Sequence, residues 1–315
     1  MILVTGATGF VGAALVERLV RDGVETRASV RRNDVFVPAG IHTVLVEDLT
    51  ANTDWNLALR GVGVIVHTAA RVHVMNDVSN DPLTEFRRVN VQGTLNLARQ
   101  AVTAGVGRFV FISSIKVNGE ATELGFPFSS GDMPAPFDPY GVSKMEAEQG
   151  LREIGVQTGL EVVIIRPPLV YGFGVKANFA ALMRVVQHRW VLPLGAVHNK
   201  RSLVALDNLV DFIVTCTTHP KAAQHIFLVS DGHDLSTTEL AHGLAQAAGV
   251  SARLIPVPMW VLHAAAAMVG KGDVAKRLCG NLQVDISKAQ SLLGWMPPIS
   301  VEEGLLIAVK GIQKI

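Results

Sequence analysis

TGATGFVG, from Thr5 to Gly12, lies between a short apolar run and an amphipathic stretch, and its glycines recur every third residue. Gly6 permits a tight turn, Gly9 lets a pyrophosphate approach the backbone, and Gly12 allows close packing of a helix on a strand. The start of that helix would offer free N–H groups and positive potential to phosphates. We therefore predict a dinucleotide-binding turn, with cofactor contacts from Gly6, Thr8, Gly9, Phe10, Val11 and Gly12.

Short apolar runs recur along the first two-thirds of the chain, separated by amphipathic stretches. Several are almost continuous in Val, Ile and Phe, which is typical of parallel strands buried on both faces. The alternation predicts an α/β fold with a Rossmann-type doubly wound parallel sheet. The predicted strands are Met1–Val4, Thr26–Val30, His42–Val46, Val62–His67, a run from Arg108, a run from Glu161, and His225–Asp231.

Beyond Arg166, proline and glycine interrupt the alternation of apolar runs and amphipathic stretches. Most of the remaining sequence has a helical pattern. We predict a Rossmann domain over residues 1–167, to which a later strand returns around 202–231. A smaller, mostly helical substrate domain then takes residues 168–201 and 232–315. Within it, Ser236 and Glu239 form a capping box, which predicts a helix that stops at Gly249.

Composition excludes several classes of protein. Of the 315 residues, 49% are hydrophobic and 17% charged, so the chain is not disordered. The net charge of +1 gives no indication of a nucleic-acid partner. The two cysteines and the unclustered histidines predict no metal site. Since no targeting segment is visible and Met259–Gly270 is too short to cross a bilayer, we expect a cytoplasmic protein without membrane insertion, in which that run is a buried or oligomer-facing helix.

The residues after the second strand bear on cofactor choice. NAD binding is favoured by an acidic residue there, which holds the ribose 2′-hydroxyl, but this chain has Arg31 and Arg32. Arginine can hold a 2′-phosphate through paired hydrogen bonds, so we favour NADP(H), with NAD(H) as the alternative. The residues after the third and fourth strands are expected along the same cofactor, namely Asp48, Leu49, Thr68, Ala69 and Ala70.

A serine, a tyrosine and a lysine form a candidate catalytic set. Ser114 follows the fifth predicted strand, and Tyr140 and Lys144 are four residues apart, which places them on one helix face. The lysine ammonium is expected to lower the tyrosine pKa from its free value of about 10. Ser114 can then hydrogen-bond a substrate oxygen while Tyr140 moves its proton, in a reaction that transfers hydride to or from a nicotinamide.

Together these motifs resemble the extended short-chain dehydrogenase/reductases of the nucleotide-sugar epimerase/dehydratase family, over essentially the whole chain. The matching segments are TGATGFVG (5–12), HTAA (67–70), NVQGT (90–94), SSIKVNG (113–119), YGVSK (140–144), RPPLVYG (166–172) and LGWMPPISVEEGL (293–305). The resemblance implies that Asn90 supports the active-site lysine and that Ser113, Pro167 and Pro168 adjoin the nicotinamide. Tyr140, Lys144 and Asn90 are counted with the cofactor contacts.

The resemblance also implies a UDP-sugar or another nucleotide sugar as substrate. It assigns the nucleotide to Asn178 and Phe179 and a phosphate to Arg201. Ser114 is expected to touch the sugar, and Lys116 and Asn118 are further candidates because they follow it closely. The segment Gly119–Pro139 is a candidate substrate lid.

Departures from the family pattern narrow the expected activity. The Thr-Asp-Glu triplet of the 4,6-dehydratases is replaced by Ser114-Ile115-Lys116, which offers no acid pair to eliminate water. Leu169 stands where epimerases often carry Asn. SSIKVNGE and PFDPYGVSK look most like reductases of UDP-4-keto-6-deoxy-N-acetylhexosamines in surface-polysaccharide synthesis, and this is the main interpretation.

A UDP-hexose or UDP-N-acetylhexosamine 4-epimerase is the alternative. A small-ketone or steroid reductase and a non-catalytic NADP-sensing regulator are less favoured, since Ser114, Tyr140 and Lys144 are all present. Many relatives form homodimers through two helices, which here would span Leu95–Ala104 and Lys144–Glu153. The mixed charges of this face leave the oligomeric state open.

Overall fold

The computed structural model describes residues 1–32, 35, 37–46, 48–72, 81–268, 270 and 272–312. The strands in these ranges are β1 (Ile2–Thr5), β2 (Thr26–Val30), β3 (His42–Leu45), β4 (Val64–His67), β5 (Arg108–Ile112), β6 (Glu161–Arg166), β7 (Leu169–Tyr171), β8 (Val191–Leu192), β9 (Leu203–Ala205), β10 (His225–Leu228) and β11 (Arg253–Leu254). The α-helices are α1 (Phe10–Arg21), α2 (Asn56–Leu59), α3 (Pro82–Phe86), α4 (Thr94–Thr103), α5 (Pro139–Thr158), α6 (Ala177–Gln187), α7 (Leu206–Thr218), α8 (Thr237–Ala247), α9 (Met259–Met268), α10 (Gly272–Cys279), α11 (Ser287–Leu293) and α12 (Val301–Ile312).

The central sheet confirms the doubly wound Rossmann prediction. Its seven strands lie in the order β10-β6-β5-β4-β1-β2-β3, and neighbouring strands are parallel. Ile2 of β1 lies opposite Thr26 of β2 on one side and Val64 of β4 on the other. Because all seven strands run the same way, their carboxyl ends meet at one edge, where such sheets bind ligands.

Helices cover both faces of the sheet, which explains the continuous apolar strands. On one face, Val4 and Val66 pack with Leu15 of α1 and Phe212 of α7. On the other, Leu3 and Phe109 belong to a cluster that takes in residues of α2, α4 and α5, including Leu59, Leu97 and Leu151. Burial of this apolar area, at about 25 cal/mol per Å², holds the helices on the sheet.

A further core lies in the C-terminal part of the chain. Tyr171, Met183, Leu244 and Leu305 join β7, α6, α8 and α12 in it. The predicted capping box is present, with Ser236 and Glu239 each bonding the other's backbone N–H at the start of α8. The helical character of this part is thus confirmed, whereas the domain boundaries at 167, 201 and 231 stay a prediction.

Helix α9 is not the buried helix that was one of two expectations for Met259–Gly270, and the oligomer-facing alternative stays a prediction. It is apolar along almost its whole length, yet none of its residues is buried. Among the described residues, no helix is both long and apolar enough to cross a membrane.

Candidate active site

The glycine-rich turn is built as its spacing predicts. Gly6 has a φ of +69°, which favours glycine, and a Cβ at Gly12 would lie 2.1 Å from the Gly6 carbonyl oxygen. A Cβ at Gly9 would meet only that same oxygen, at 3.1 Å, so this side of the turn is open. Helix α1 begins directly afterwards, and Gly9 caps it without a side chain. The open backbone at a helix N-terminus fits a dinucleotide pyrophosphate.

Polar and small residues border this turn along the sheet edge. The Thr68 hydroxyl donates to the Thr5 carbonyl at 2.6 Å, and Ala69 and Ala70 follow it half-buried. Arg31 and Arg32 lie exposed just after β2, and Asp48 is exposed after β3. The predicted cofactor residues therefore follow the ends of strands β1, β2, β3 and β4, which are neighbours in the sheet.

The structure brings the predicted catalytic set together. Tyr140 lies in the first turn of α5, where the Asp138 carboxylate accepts from the Gly141 N–H at 2.7 Å and caps the helix. Tyr140 and Ser114 are linked by a side-chain hydrogen bond. The Lys144 ammonium lies 5.9 Å from the centre of the Tyr140 ring and donates to the Ile112 carbonyl at 2.8 Å. One cleft thus holds the hydroxyls of Ser114 and Tyr140, with the Lys144 ammonium close to the tyrosine ring.

The pKa values in this cleft differ from the expectation. Burial raises the pKa of Tyr140, the Asp138 charge raises it further, and the hydrogen bond from Ser114 opposes both. Burial lowers the pKa of Lys144 to about 7, against a contribution from Glu148 that raises it. The prediction of a lowered tyrosine pKa is therefore wrong for this structure, because burial and the Asp138 charge outweigh the contribution of Ser114.

A buried hydrogen-bond network lies beneath the cleft and includes two of the predicted contact residues, Ser113 and Asn118. The Ser113 hydroxyl donates to Glu148, whose carboxylate accepts from the Arg166 guanidinium at 2.5 to 3.2 Å. Arg166 also donates to the Asn118 side-chain oxygen at 2.9 Å, and the Asn118 amide donates to the Ser129 carbonyl at 2.9 Å. The side chains of Ser113 and Asn118 thus have buried protein partners, and contacts of these residues with cofactor and sugar stay a prediction.

Asn90 was expected to support Lys144, but the bonds of its side chain go to Arg71 and Ser143. Its side chain bonds both backbone groups of Arg71, at 2.8 and 3.0 Å, and donates to the Ser143 hydroxyl at 3.0 Å. Lys144 is instead held by the Ile112 carbonyl. Asn90 lies in the π-helical stretch Arg87–Gly93, a rare geometry that is frequent at functional sites. Sequence reasoning missed Ser143, although it is the residue before Lys144 in YGVSK.

The predicted substrate residues divide into buried and accessible groups. The Phe179 side chain is buried and stacked on Tyr171, with ring centres 5.3 Å apart, and a contact of this residue with a nucleotide stays a prediction. Asn178 is exposed near the start of α6 and stays a prediction. Arg201, half-buried, donates to the carbonyls of Arg277 and Gly280 at 2.8 and 3.0 Å, and also stays a prediction.

Lys116, which follows the catalytic serine closely, is engaged beside the cleft. Its ammonium bonds the carboxylates of Asp138 and of Glu120, the latter at 2.9 Å. Pro167 and Pro168 are buried after β6, where the Pro167 carbonyl accepts from the Ile115 N–H at 3.0 Å. These contacts fix the segment that carries Ser114 onto the end of β6.

The candidate lid Gly119–Pro139 is anchored to a C-terminal segment. The Phe128 backbone bonds both to Gln283 and to Asp285, each at 2.8 Å, and Thr122 donates to Asn281 at 3.0 Å. Movement of this segment as a lid stays a prediction.

Other ionisable side chains do not assemble into a second site. His67 is fully buried, and its ring nitrogens bond the hydroxyls of Thr5 and Thr94 at 2.6 and 2.9 Å. Among the described residues, no three His, Cys, Asp or Glu side chains group as a metal site requires.

Comparisons with known proteins agree with this architecture. The sequence model of the NAD dependent epimerase/dehydratase family matches residues 2–230. A UDP-glucose 4-epimerase of Vibrio cholerae is 51% identical over 304 residues, which cover 96% of this chain and 92% of that protein. A UDP-glucose 4-epimerase of Mycolicibacterium smegmatis is 30% identical over 331 residues, covering 98% and 97%.

Solved structures share the fold throughout. MoeE5 in complex with UDP-glucose and NAD has a TM-score of 0.79 and 25% identity, covering 99% of this chain and 98% of that one. The sequence match, the parallel sheet with its glycine turn, and the tyrosine–lysine pair lead to one conclusion. The chain belongs to the NAD dependent epimerase/dehydratase family, within the short-chain dehydrogenase/reductase enzymes.

Proposed function

We propose that this protein is a UDP-hexose 4-epimerase with UDP-glucose as a substrate. The observation that carries this proposal is the 51% identity to a UDP-glucose 4-epimerase along 96% of the chain. Ser114, Tyr140 and Lys144 in one cleft beside the glycine turn supply the chemistry it needs. The proposal replaces the 4-ketoreductase interpretation, which rested on short segments around the same three residues.

The two activities share half of their chemistry, which is why the motifs could not separate them. Both move a hydride at C4 and a proton at the C4 oxygen. An epimerase returns the hydride to the opposite face of the sugar, which depends on how the ketone intermediate is turned in its pocket. Ser114 and Tyr140 serve both reactions equally, so the catalytic set by itself favours neither.

In the proposed reaction, Tyr140 carries the proton. Its phenolate oxygen accepts the proton of the C4 hydroxyl during oxidation, and its hydroxyl returns that proton during reduction. Ser114 donates a hydrogen bond to the C4 oxygen and holds it beside Tyr140. A nicotinamide cofactor bound at the glycine turn would supply the acceptor and donor for the C4 hydride. Lys144 adds positive charge behind the tyrosine ring, to the degree that it is protonated.

We propose NAD as this cofactor, held by the turn Gly6–Gly12 and by Thr68, Ala69 and Ala70. Support comes from the family, which is NAD dependent, and from MoeE5, whose structure contains NAD. The arginine pair favoured NADP(H), but Arg31 and Arg32 are exposed side chains after β2. Mass spectrometry of the nucleotide released from denatured protein tests the proposal, and NADP as the released species would overturn it.

The arginine pair provides a second test of cofactor choice. If Arg31 holds a 2′-phosphate, Arg31→Ala weakens NADPH binding far more than NADH binding. If NAD is the resident cofactor, Arg31→Ala changes both affinities by similar small factors. Titration of both nucleotides against the wild type and the variant distinguishes these outcomes.

The activity is tested by incubating the purified protein with UDP-glucose and following UDP-galactose by proton NMR. Tyr140→Phe is expected to lower turnover by at least about a thousandfold while cofactor binding persists, since the proton carrier is lost. The control is Thr103→Val, which removes an exposed hydroxyl that bonds the Arg99 carbonyl within α4. Absence of UDP-galactose, with NADPH oxidation on a UDP-4-keto-6-deoxy-N-acetylhexosamine, would restore the reductase interpretation.

A further inference from the structure

A large apolar surface lies on the C-terminal part of the molecule, around α9. Its exposed side chains include Trp190, Val191, Ile255, Trp260 and Met268, whose exposed fractions run from 50% to 83%. We call this the α9 surface. Apolar patches of this kind on soluble proteins commonly mark interaction sites.

The elements that carry the α9 surface are packed against one another. Strands β8 and β11 pair in parallel, and the Ile255 N–H donates to the Leu192 carbonyl at 2.8 Å. Leu262 of α9 packs against a buried cluster that contains Leu194 and Cys279 of α10. Trp190 and Ile255 therefore lie on the same small unit as α9 and α10, and this unit carries the exposed apolar side chains.

Charge is strongly asymmetric between this region and the rest of the chain. Residues 184–200 and 253–280 hold seven Lys and Arg and one Asp, whereas the rest of the sequence holds 21 Lys and Arg and 26 Asp and Glu. Lys200 pairs with Glu239 at 3.7 Å. Among the described residues of the region, the exposed cations are Arg184, Arg189, Arg253, Lys276 and Arg277. The overall charge of +1 conceals this division.

We propose that the α9 surface docks on an anionic lipid bilayer. Exposed tryptophan and aliphatic side chains flanked by cations are typical of segments that lie in the membrane interface. At ten residues, α9 is half the length that spanning needs, so the protein would rest on the bilayer. A second copy of the chain fits less well, because a two-fold interface would bring the same cations face to face.

Docking there would also orient the proposed substrate site. Arg201, the candidate phosphate contact, donates to the carbonyls of Arg277 and Gly280 at the end of α10. The α9 surface and this arginine are therefore joined through one helix. Bilayer binding itself requires no turnover, so it can be tested independently of the proposed epimerase activity.

The experiment is co-sedimentation of the full-length protein with vesicles. One set contains phosphatidylcholine alone, and the other contains phosphatidylcholine mixed with phosphatidylglycerol. We expect binding to the mixed vesicles, and weaker binding when salt is raised, because exposed charges are screened. Wild-type protein that stays in the supernatant with both sets would overturn the proposal.

Two double variants locate the contact. Trp190→Ala with Trp260→Ala, and Lys276→Gln with Arg277→Gln, are each expected to weaken vesicle binding by about tenfold or more. Matched controls change an exposed apolar residue and an exposed cation elsewhere, Val156→Ala and Arg60→Gln, and should bind as the wild type does. Circular dichroism spectra and urea midpoints equal to those of the wild type verify that the variants are folded.

Two further outcomes count against the proposal. The tryptophan double variant binding anionic vesicles as tightly as the wild type would show that the α9 surface is not the contact. Concentration-dependent self-association in light scattering, lost in that variant and without vesicle binding, would assign the surface to a second copy of the chain.

Discussion

Tyr140 depends on neighbours from three places in the fold. Ser114 follows β5, Asp138 caps α5, and Lys144 is one helical turn further along α5. The sequence predicted the serine and the lysine, because both belong to spaced motifs. The spaced motifs did not assign a role to Asp138, whose carboxylate caps the helix and also acts on the tyrosine.

The influence of Asp138 on Tyr140 leads to a pH-dependent prediction. The carboxylate disfavours the phenolate and thereby raises the pKa of Tyr140, so Asp138→Asn should lower that pKa. An asparagine can still cap α5. We expect the acidic limb of kcat/KM for UDP-glucose to move to lower pH. Asp132→Asn, in the same loop, is the control, and an unmoved limb in Asp138→Asn would contradict the prediction.

His67 makes a second prediction at the residue scale. Burial, with the Lys144 charge, lowers the pKa of His67 to about 3, whereas a histidine in the unfolded chain titrates near 6.5. Below pH 6.5 the unfolded state therefore takes up a proton that the folded state refuses. This one group should remove about 1.4 kcal/mol of stability per pH unit as the pH falls towards 3. Urea unfolding at several pH values measures this slope.

His67→Gln isolates that contribution. Glutamine can bond Thr5 and Thr94 but has no titrating group, so the variant should be less sensitive to acid than the wild type. Comparing the two slopes removes the contribution of the carboxylates, which both proteins share. Identical slopes would mean that His67 titrates normally in the folded protein.

At the scale of elements, the glycine turn and α5 differ in how well the sequence predicted them. The turn lies where its spacing requires, since Gly6 and Gly12 meet backbone atoms directly. Helix α5 was expected to lead on from Lys144 but begins at Pro139, so that Tyr140 lies inside its first turn. Asp138 and Pro139 are favoured at the N-cap and at the first helical position, a signal that the motif analysis passed over.

Gly12→Ala tests the turn as an element. A Cβ there would lie 2.1 Å from the Gly6 oxygen and 2.8 Å from the Thr68 hydroxyl, so the turn must open. We expect a loss of about 1–3 kcal/mol in the free energy of unfolding, together with loss of the bound cofactor. Urea denaturation and nucleotide analysis measure the two effects. Gly63→Ala is the matched control, because its Cβ would meet nothing within 4 Å.

At the scale of the whole molecule, a buried hydrogen-bond junction joins the sheet to the C-terminal part. The Tyr171 hydroxyl donates to Asp231 at 2.7 Å, and Asp231 also accepts from Asn208 at 2.7 Å. Asn208 in turn donates to the Ile299 carbonyl at 3.0 Å. The Asp231 carboxylate, which follows β10, thus joins Tyr171 of β7 to Asn208 of α7. Asn208 extends the connection to the segment before α12.

Tyr171→Phe should weaken this junction. Removing the hydroxyl leaves a buried Asp231 oxygen without that donor, which costs about 1–3 kcal/mol. Urea unfolding followed by tryptophan fluorescence and by circular dichroism measures the loss, and coincident transitions indicate that both parts unfold together. Thr103→Val, which removes an exposed hydroxyl, is expected to change stability little. A stability of Tyr171→Phe equal to the wild type would show that the junction contributes nothing.

The sequence by itself determined the parallel sheet, the cofactor turn and the catalytic set, because each depends on residues close together in the chain. Strand periodicity and the spacing of Gly6 with Gly12 or Tyr140 with Lys144 are local properties. Tertiary structure decided which polar side chains remain accessible. Asn118 and Ser113 are buried with partners distant in sequence, Arg166 and Glu148. Tertiary structure also left every residue of α9 at least partly exposed, because the burial of a helix depends on which elements pack against it.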